Sequence, residues 1–201
     1  MNILNFIDIK LYKGRYKNLS LKVTDNGQLV VKAPKNLSNE KIQEFIVSKQ
    51  KWINRQLDKV KEMCLKKEEY DFKSYVYLFG KEIEYSGKKE KFYAEAFEKY
   101  LSPIVERLSN KYKLHYKSLN LTNSKRAWGY LDNNKNMRLN WKILILPIQL
   151  CEYVITHELC HSKEFNHSKQ FWSLVEKFLP NYKLLRKELK NYSFLLTNRV
   201  L

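Results

Sequence analysis

A chain of 201 residues can bury one core of ordinary size, or two small ones that share an interface. Hydrophobic residues at 44%, aromatic residues at 14%, and only five glycines and four prolines exclude a disordered or low-complexity protein. The 38 basic residues outnumber 21 acidic ones and leave a net charge of +17, a field that attracts nucleic acid or other acidic partners.

The opening residues, Met1 to Asp8, lack the basic flank and unbroken apolar run of a secretory signal. Ile7, Ile9 and Leu11 alternate with Asp8 and Lys10, and Leu19, Leu21 and Val23 alternate with Ser20 and Lys22, which is the period of half-buried strands. Asp25-Asn26-Gly27 supplies a tight turn into Gln28-Leu29-Val30-Val31, which Pro34 ends. An amino-terminal antiparallel sheet is expected. From a cap at Ser38, apolar residues recur at Ile42, Phe45, Ile46, Trp52, Ile53, Leu57 and Val60, which predicts one long amphipathic helix. Tyr75 to Phe79 and Glu82 to Tyr85, joined at Gly80-Lys81, predict a hairpin. None of these elements clusters an acid, base or nucleophile, so they read as scaffold or partner recognition.

Apolar patterning lapses at Ser86-Gly87-Lys88-Lys89. A boundary there divides the chain into residues 1–88, a sheet-plus-helix region, and residues 89–201. The lysine clusters at Lys66-Lys67 and Lys88-Lys89-Glu90-Lys91 are short, interleaved with acids and part of no recognised nucleic-acid motif. A helix is predicted from about Lys91 to Leu114, with Phe92, Phe97, Leu101, Val105 and Leu108 inward. His115 beyond it, beside Lys113 and Lys117, reads as a surface residue.

Three strands follow, at Leu119 to Thr122, Arg126 to Tyr130 and Met137 to Trp141, the last two joined by a turn at Asp132-Asn133-Asn134-Lys135. The last strand is expected to have a free edge beside the next helix, where an extended peptide could add as a further strand. The longest apolar run, Ile143 to Leu150, is interrupted by Pro147 and too short to cross a bilayer. Pro147 introduces a helix through Tyr153, Val154, His157 and His161. That helix must end soon after His161 for His167 to turn back, with Asn166 suited to a left-handed turn and Ser168 to capping the next helix. Pro180 ends that one, and a last helix starts near Tyr182.

Val154-Ile155-Thr156-His157-Glu158-Leu159-Cys160-His161 reads as HExxH, two imidazoles one helical turn apart with a glutamate beside the first. His167 is the preferred third ligand, with Glu176 and Glu188 as alternatives on the following helices. Three neutral imidazoles would leave one tetrahedral position of a Zn2+ ion open to a water whose pKa the metal lowers to about 7. Glu158 would take the proton of that water and hand it to the departing amine. Arg126, Tyr153, Tyr182 and Tyr192 are candidates by chemical type for stabilising the developing oxyanion. Cys64, Cys151 and Cys160 are odd in number and show no CxxC spacing, so no disulfide framework is expected, a reducing cytoplasm is the natural setting, and Cys160 reads as core packing.

The chain resembles the YgjP-like metallopeptidases, relatives of the SprT-like and other small zincins. The resemblance rests on Arg126-Ala127-Trp128-Gly129, Met137-Arg138-Leu139-Asn140-Trp141, Tyr153 through His161, and Asn166-His167-Ser168-Lys169-Gln170-Phe171-Trp172. Val31-Lys32-Ala33-Pro34 and Lys51-Trp52-Ile53 extend it towards the amino terminus. It implies an α+β protein with a minimal zincin domain behind an amino-terminal sheet region, zinc on His157, His161 and His167, and Glu158 as base. The family often places Ser-Cys after the Trp-Gly pair, where this chain has Tyr130-Leu131; and Glu164 stands where metzincins of the same histidine spacing have glycine.

The function expected is therefore a cytoplasmic zinc metallopeptidase acting on peptides or proteins, with no membrane partner. Two other classes follow from the same residues: a nucleic-acid-associated protein, with structural zinc or with proteolysis directed at DNA-bound proteins, and a metal-dependent hydrolase of a non-peptide amide.

Overall fold

The computed structural model describes residues 8–197, so the readings of Met1 to Ile7 lie outside the described residues. The chain forms two compact units, residues 1–66 and 67–201.

In the first unit, β1 (Ile9–Gly14), β2 (Ser20–Val23) and β3 (Leu29–Pro34) form a sheet in the order β1-β3-β2. The expected antiparallel sheet is mixed: β2 pairs antiparallel with β3, but β1 pairs parallel with it. Alternation identifies a strand and its buried face but not its direction. Here the chain reverses after β1 and leaves one strand position vacant, which β3 fills. Gly27 makes the β2–β3 turn at φ +80°, a conformation that glycine adopts without penalty. Leu29, Val31 and Ala33 are fully buried and pack with Ile42, Ile46 and Ile53.

The expected long helix is two helices, α1 (Asn39–Ser48) and α2 (Gln50–Glu68), with α1 capped by Ser38, whose side chain accepts from the Lys41 N–H. The apolar positions slip phase between Ile46 and Trp52, and the break at Lys49 resets them, burying Ile53 while Trp52 stays 39% exposed.

In the second unit, β4 (Tyr75–Leu78) and β5 (Lys81–Glu84) form the expected hairpin, turned at Phe79 and Gly80, both at positive φ. The Phe79 N–H donates to the Leu144 carbonyl at 2.7 Å, and the Tyr93 hydroxyl accepts from the Tyr77 N–H at 3.1 Å. These bonds tie the hairpin to the second unit, whereas a division near residue 88 would group it with the first. The helix expected from Lys91 begins earlier and changes winding: α3 (Lys89–Ala96), a π-helical turn (Phe97–Leu101) and α4 (Ser102–Tyr112). Pro103 has no N–H to donate, and the widened turn, in which the Ser102 N–H reaches the Phe97 carbonyl, precedes it.

A second sheet, in the order β6-β8-β7, joins β6 (Ser118–Thr122), β7 (Gly129–Leu131) and β8 (Asn136–Asn140). The strand expected over Arg126 to Tyr130 shortens because the buried Asn140 amide donates to the Ser124 and Ala127 carbonyls, at 2.7 and 3.1 Å, and holds that segment as a loop. The free edge expected on the last strand is also misplaced: β8 is central, paired on both sides, and β7 lies at the edge. A 3₁₀ turn (Trp141–Leu144) leads to α5 (Ile148–Cys160), then α6 (Lys169–Phe178), α7 (Tyr182–Leu189), a second 3₁₀ turn (Lys190–Tyr192) and α8 (Phe194–Thr197). The helix α5 packs against α4, α6, α7 and β7. The whole is α+β, and among the described residues no helix is long and apolar enough to cross a membrane.

Candidate metal centre and cleft

The helix α5 is apolar on nearly every side, with Leu150, Cys151, Tyr153, Val154, Ile155, Leu159 and Cys160 all buried, as expected of a helix surrounded by other elements. That burial encloses Glu158, which keeps 7% of its surface, and leaves His157 only half-buried. Cys160 is fully buried, and burial pushes its thiol up to about 12, as its reading as core packing anticipated.

The helix ends at His161, and successive turns return the chain: Ser162 N–H to Leu159 O, then Lys163 and Glu164 N–H to Cys160 O. Asn166 is not among the residues at positive φ, so these overlapping bonds reverse the chain without the left-handed residue that seemed suited to it. Ser168 caps α6, accepting from the Phe171 N–H. His167, just ahead of this cap, comes back over α5.

One potential ligand atom from each of His157, His161 and His167 lies within 4.8 Å of the others. The Nε2 atoms of His157 and His167 are 2.9 Å apart. Two imine lone pairs facing each other at that distance repel unless a proton or a cation lies between them, so the donor set suits a metal ion. His161 Nδ1 is 2.9 Å from the Glu164 carbonyl, which can only accept; Nδ1 therefore carries the proton and Nε2 keeps its lone pair. Sequence reasoning marked Glu164 only as a departure, and its orienting group is a backbone carbonyl that any residue would supply. Phe171 stacks on the His161 ring at 4.4 Å and Trp172 on the His167 ring at 5.6 Å, which limits how far the imidazoles can turn. In the metal-free chain His157 is depressed to about 3, by burial first and then by the charges of His161, His167 and Arg186, so it stays neutral. Glu176 instead faces Lys183 at 3.4 Å on an exposed surface, and neither it nor Glu188 joins the histidine group.

Beside the histidines opens a cleft of about 340 Å³ whose lining includes Trp128 and Gly129, His157 and Glu158, Tyr153 and Arg186. Burial alone pushes the Glu158 carboxyl up to about 8. Of the oxyanion candidates only Tyr153 lines the cleft, and burial raises its hydroxyl to about 12, keeping it a donor. Tyr182 is stacked on Trp172 instead. Arg186 was not anticipated: it is one of many basic residues in the sequence, and only the fold shows that its guanidinium sits 4.4 Å from the Trp172 ring and reaches the cleft.

A family model described as YgjP-like, metallopeptidase domain, matches residues 17–91 and 86–192. The chain belongs to the YgjP-like metallopeptidase family. Membership makes it a metal-dependent hydrolase, with peptides as its substrate class and a divalent metal as its cofactor, and the three histidines form a group able to hold such an ion. Among solved structures, that of the metallopeptidase zymogen of Pyrococcus abyssi abylysin is similar at a TM-score of 0.41 and 21% identity, covering 44% of this chain and 90% of that one. No curated protein matches the chain.

Proposed function

We propose that this YgjP-like metallopeptidase hydrolyses peptide bonds in the cytoplasm with one zinc ion held by His157, His161 and His167 and with Glu158 as general base. The observation that carries the reading is the convergence of three imidazole donors beside a buried carboxyl in one cleft. Bound zinc supplies a Lewis acid and lowers the pKa of a ligated water to about 7. The ionised Glu158 carboxylate accepts the proton of the attacking water and returns it to the leaving amine. The Tyr153 hydroxyl donates to the developing oxyanion. The free edge of β7 receives the substrate backbone as an added strand, with Gly129 bringing that strand close to Glu158. Three free cysteines suit a reducing compartment.

The experiment is zinc analysis of the purified protein together with peptide cleavage that chelation abolishes and zinc restores. Glu158→Gln should retain zinc and lose cleavage. A Glu158→Gln protein of undiminished activity overturns the assignment of the base.

The net charge of +17 favours a second reading, in which nucleic acid presents the substrate as in the SprT-like manner. Binding to duplex DNA that weakens steeply between 50 and 200 mM salt, on the order of a thousandfold, is its signature.

A further inference from the structure

Arg186 lies in the last turn of α7, and Lys190 follows one helical turn later on the same side. Both are exposed and both line the cleft that holds His157 and Glu158. The guanidinium is not loose. Its centre lies 4.4 Å from the Trp172 ring centroid, and Trp172 also stacks with Tyr182 at 5.4 Å and with His167 at 5.6 Å. A planar cation stacked on an aromatic face keeps its edge donors free for a carboxylate and loses little entropy when it binds one.

No carboxylate among the described residues occupies that role. Among the described residues the recorded ion pairs take Glu95, Glu152 and Glu176, each with a different cation. Glu158 is the one carboxyl that lines the cleft, and it is buried. A fixed guanidinium next to a group of histidines suited to a cation is electrostatically unfavourable unless an anion sits between the positive charges. Arg186 and Lys190 supply two such charges along one wall of the cleft.

We infer that Arg186, backed by Lys190, binds a carboxylate of the substrate, so that the peptides taken by this cleft carry an acidic side chain or a free carboxyl terminus close to the scissile bond. The inference rests on the metallopeptidase reading above for the identity of the ligand as a peptide. Trp172 acts as the positioning residue that holds the guanidinium at the required edge. Tyr153 and Glu158 keep the roles already given them.

The test uses the full chain loaded with zinc and a set of short fluorescent peptides of one sequence. These carry Glu, Gln or Lys beside the central bond, each with either a free or an amidated carboxyl terminus. Binding is measured by anisotropy to the Glu158→Gln protein, and cleavage with the unsubstituted protein. Carboxylate-bearing peptides should bind about tenfold or more tightly than their Gln and amide counterparts, the worth of one charge-assisted contact. Preference for Glu over Gln assigns an acidic side chain, and preference for acid over amide termini assigns the carboxyl terminus. Arg186→Gln should remove the preference, Arg186→Lys should retain part of it, and Arg186→Glu should transfer it to the Lys peptides, each with an unchanged thermal midpoint. Equal binding of all peptides overturns the inference, as does an Arg186→Gln protein that loses turnover on every peptide alike while its KM ratios stay fixed. Cleavage of all peptides without preference leaves the peptidase reading standing and removes this one. A binding preference without any cleavage does the reverse.

Discussion

Gly129 on β7 lies so close to Glu158 on α5 that a Cβ built on the glycine would be 2.9 Å from the Glu158 Cγ, and equally close to Leu139 Cδ2. Its φ is not in the left-handed region, so contact rather than backbone conformation reserves the position for glycine. Gly129→Ala must push the edge strand or the carboxylate aside. The expected result is a fall in kcat/KM of about tenfold or more, corresponding to about 1.4 kcal/mol of misplacement, with zinc content unchanged. Metal analysis beside steady-state kinetics checks it, and an unaffected kcat/KM would show that the strand gives way without disturbing Glu158.

Glu158 and His157, neighbours on α5, set opposite pH dependences in the metal-free protein. The folded-state pKa of Glu158 is raised to about 8, so its contribution to stability is full below its ordinary value and is lost as pH rises towards 8. That of His157 is depressed to about 3, so its contribution is full above the ordinary histidine value and is lost as pH falls towards 3. Between roughly pH 6.5 and 8 only the glutamate slope operates, at most about 1.4 kcal/mol per pH unit. Thermal melts of chelated protein should fall over that window, and chelated Glu158→Gln should show a flatter profile and melt higher at pH 8. Parallel profiles would count against the burial cause.

Lys113 closes α4 in the left-handed region, at φ 54° and ψ 41°, with the Leu114 N–H returned to the Ser109 carbonyl. A side chain there costs more than glycine would, and glycine repays part of the gain in unfolded-state entropy. Lys113→Gly should stabilise by about 0.5–1 kcal/mol, a rise of about 2 °C in thermal midpoint, without altering cleavage. A lower midpoint would show that the lysine side chain holds a contact worth more than the backbone strain.

The features legible in the sequence were those set by periodicity and by local capping. The HExxH register, the turn at Gly27 ahead of β3, the turn at Gly80 and the Ser168 cap all follow from spacing within a few residues. Pairing partners did not follow, because alternation is the same whether a neighbour runs parallel or antiparallel. That is why β1 was expected antiparallel and β8 was expected at the edge. The helix breaks at Lys49 and at the π turn before Pro103 alter phase by a residue or less, below what apolar spacing resolves. At the site, the three histidines and Glu158 were marked by their spacing. The Glu164 carbonyl and Arg186 were not, since one is a backbone group common to every residue and the other depends on where α7 docks.

The third metal ligand gives the last prediction. His157 and His161 share a helix and would stay near each other in any case, whereas His167 comes from the loop beyond it and meets them only because the turn after His161 and the Ser168 cap fix that loop. Removing an outer partner of a ligand costs about 10–100-fold in metal affinity, and removing the ligand itself should cost more. His167→Ala should therefore weaken zinc binding by over about a hundredfold in a competition titration with a chromophoric chelator. Glu176→Gln should leave it unchanged, because that carboxylate is turned to Lys183. The opposite pattern, with zinc lost on substitution of Glu176 and kept on substitution of His167, would transfer the third ligand to α6 and leave His167 as a polar rim of the cleft.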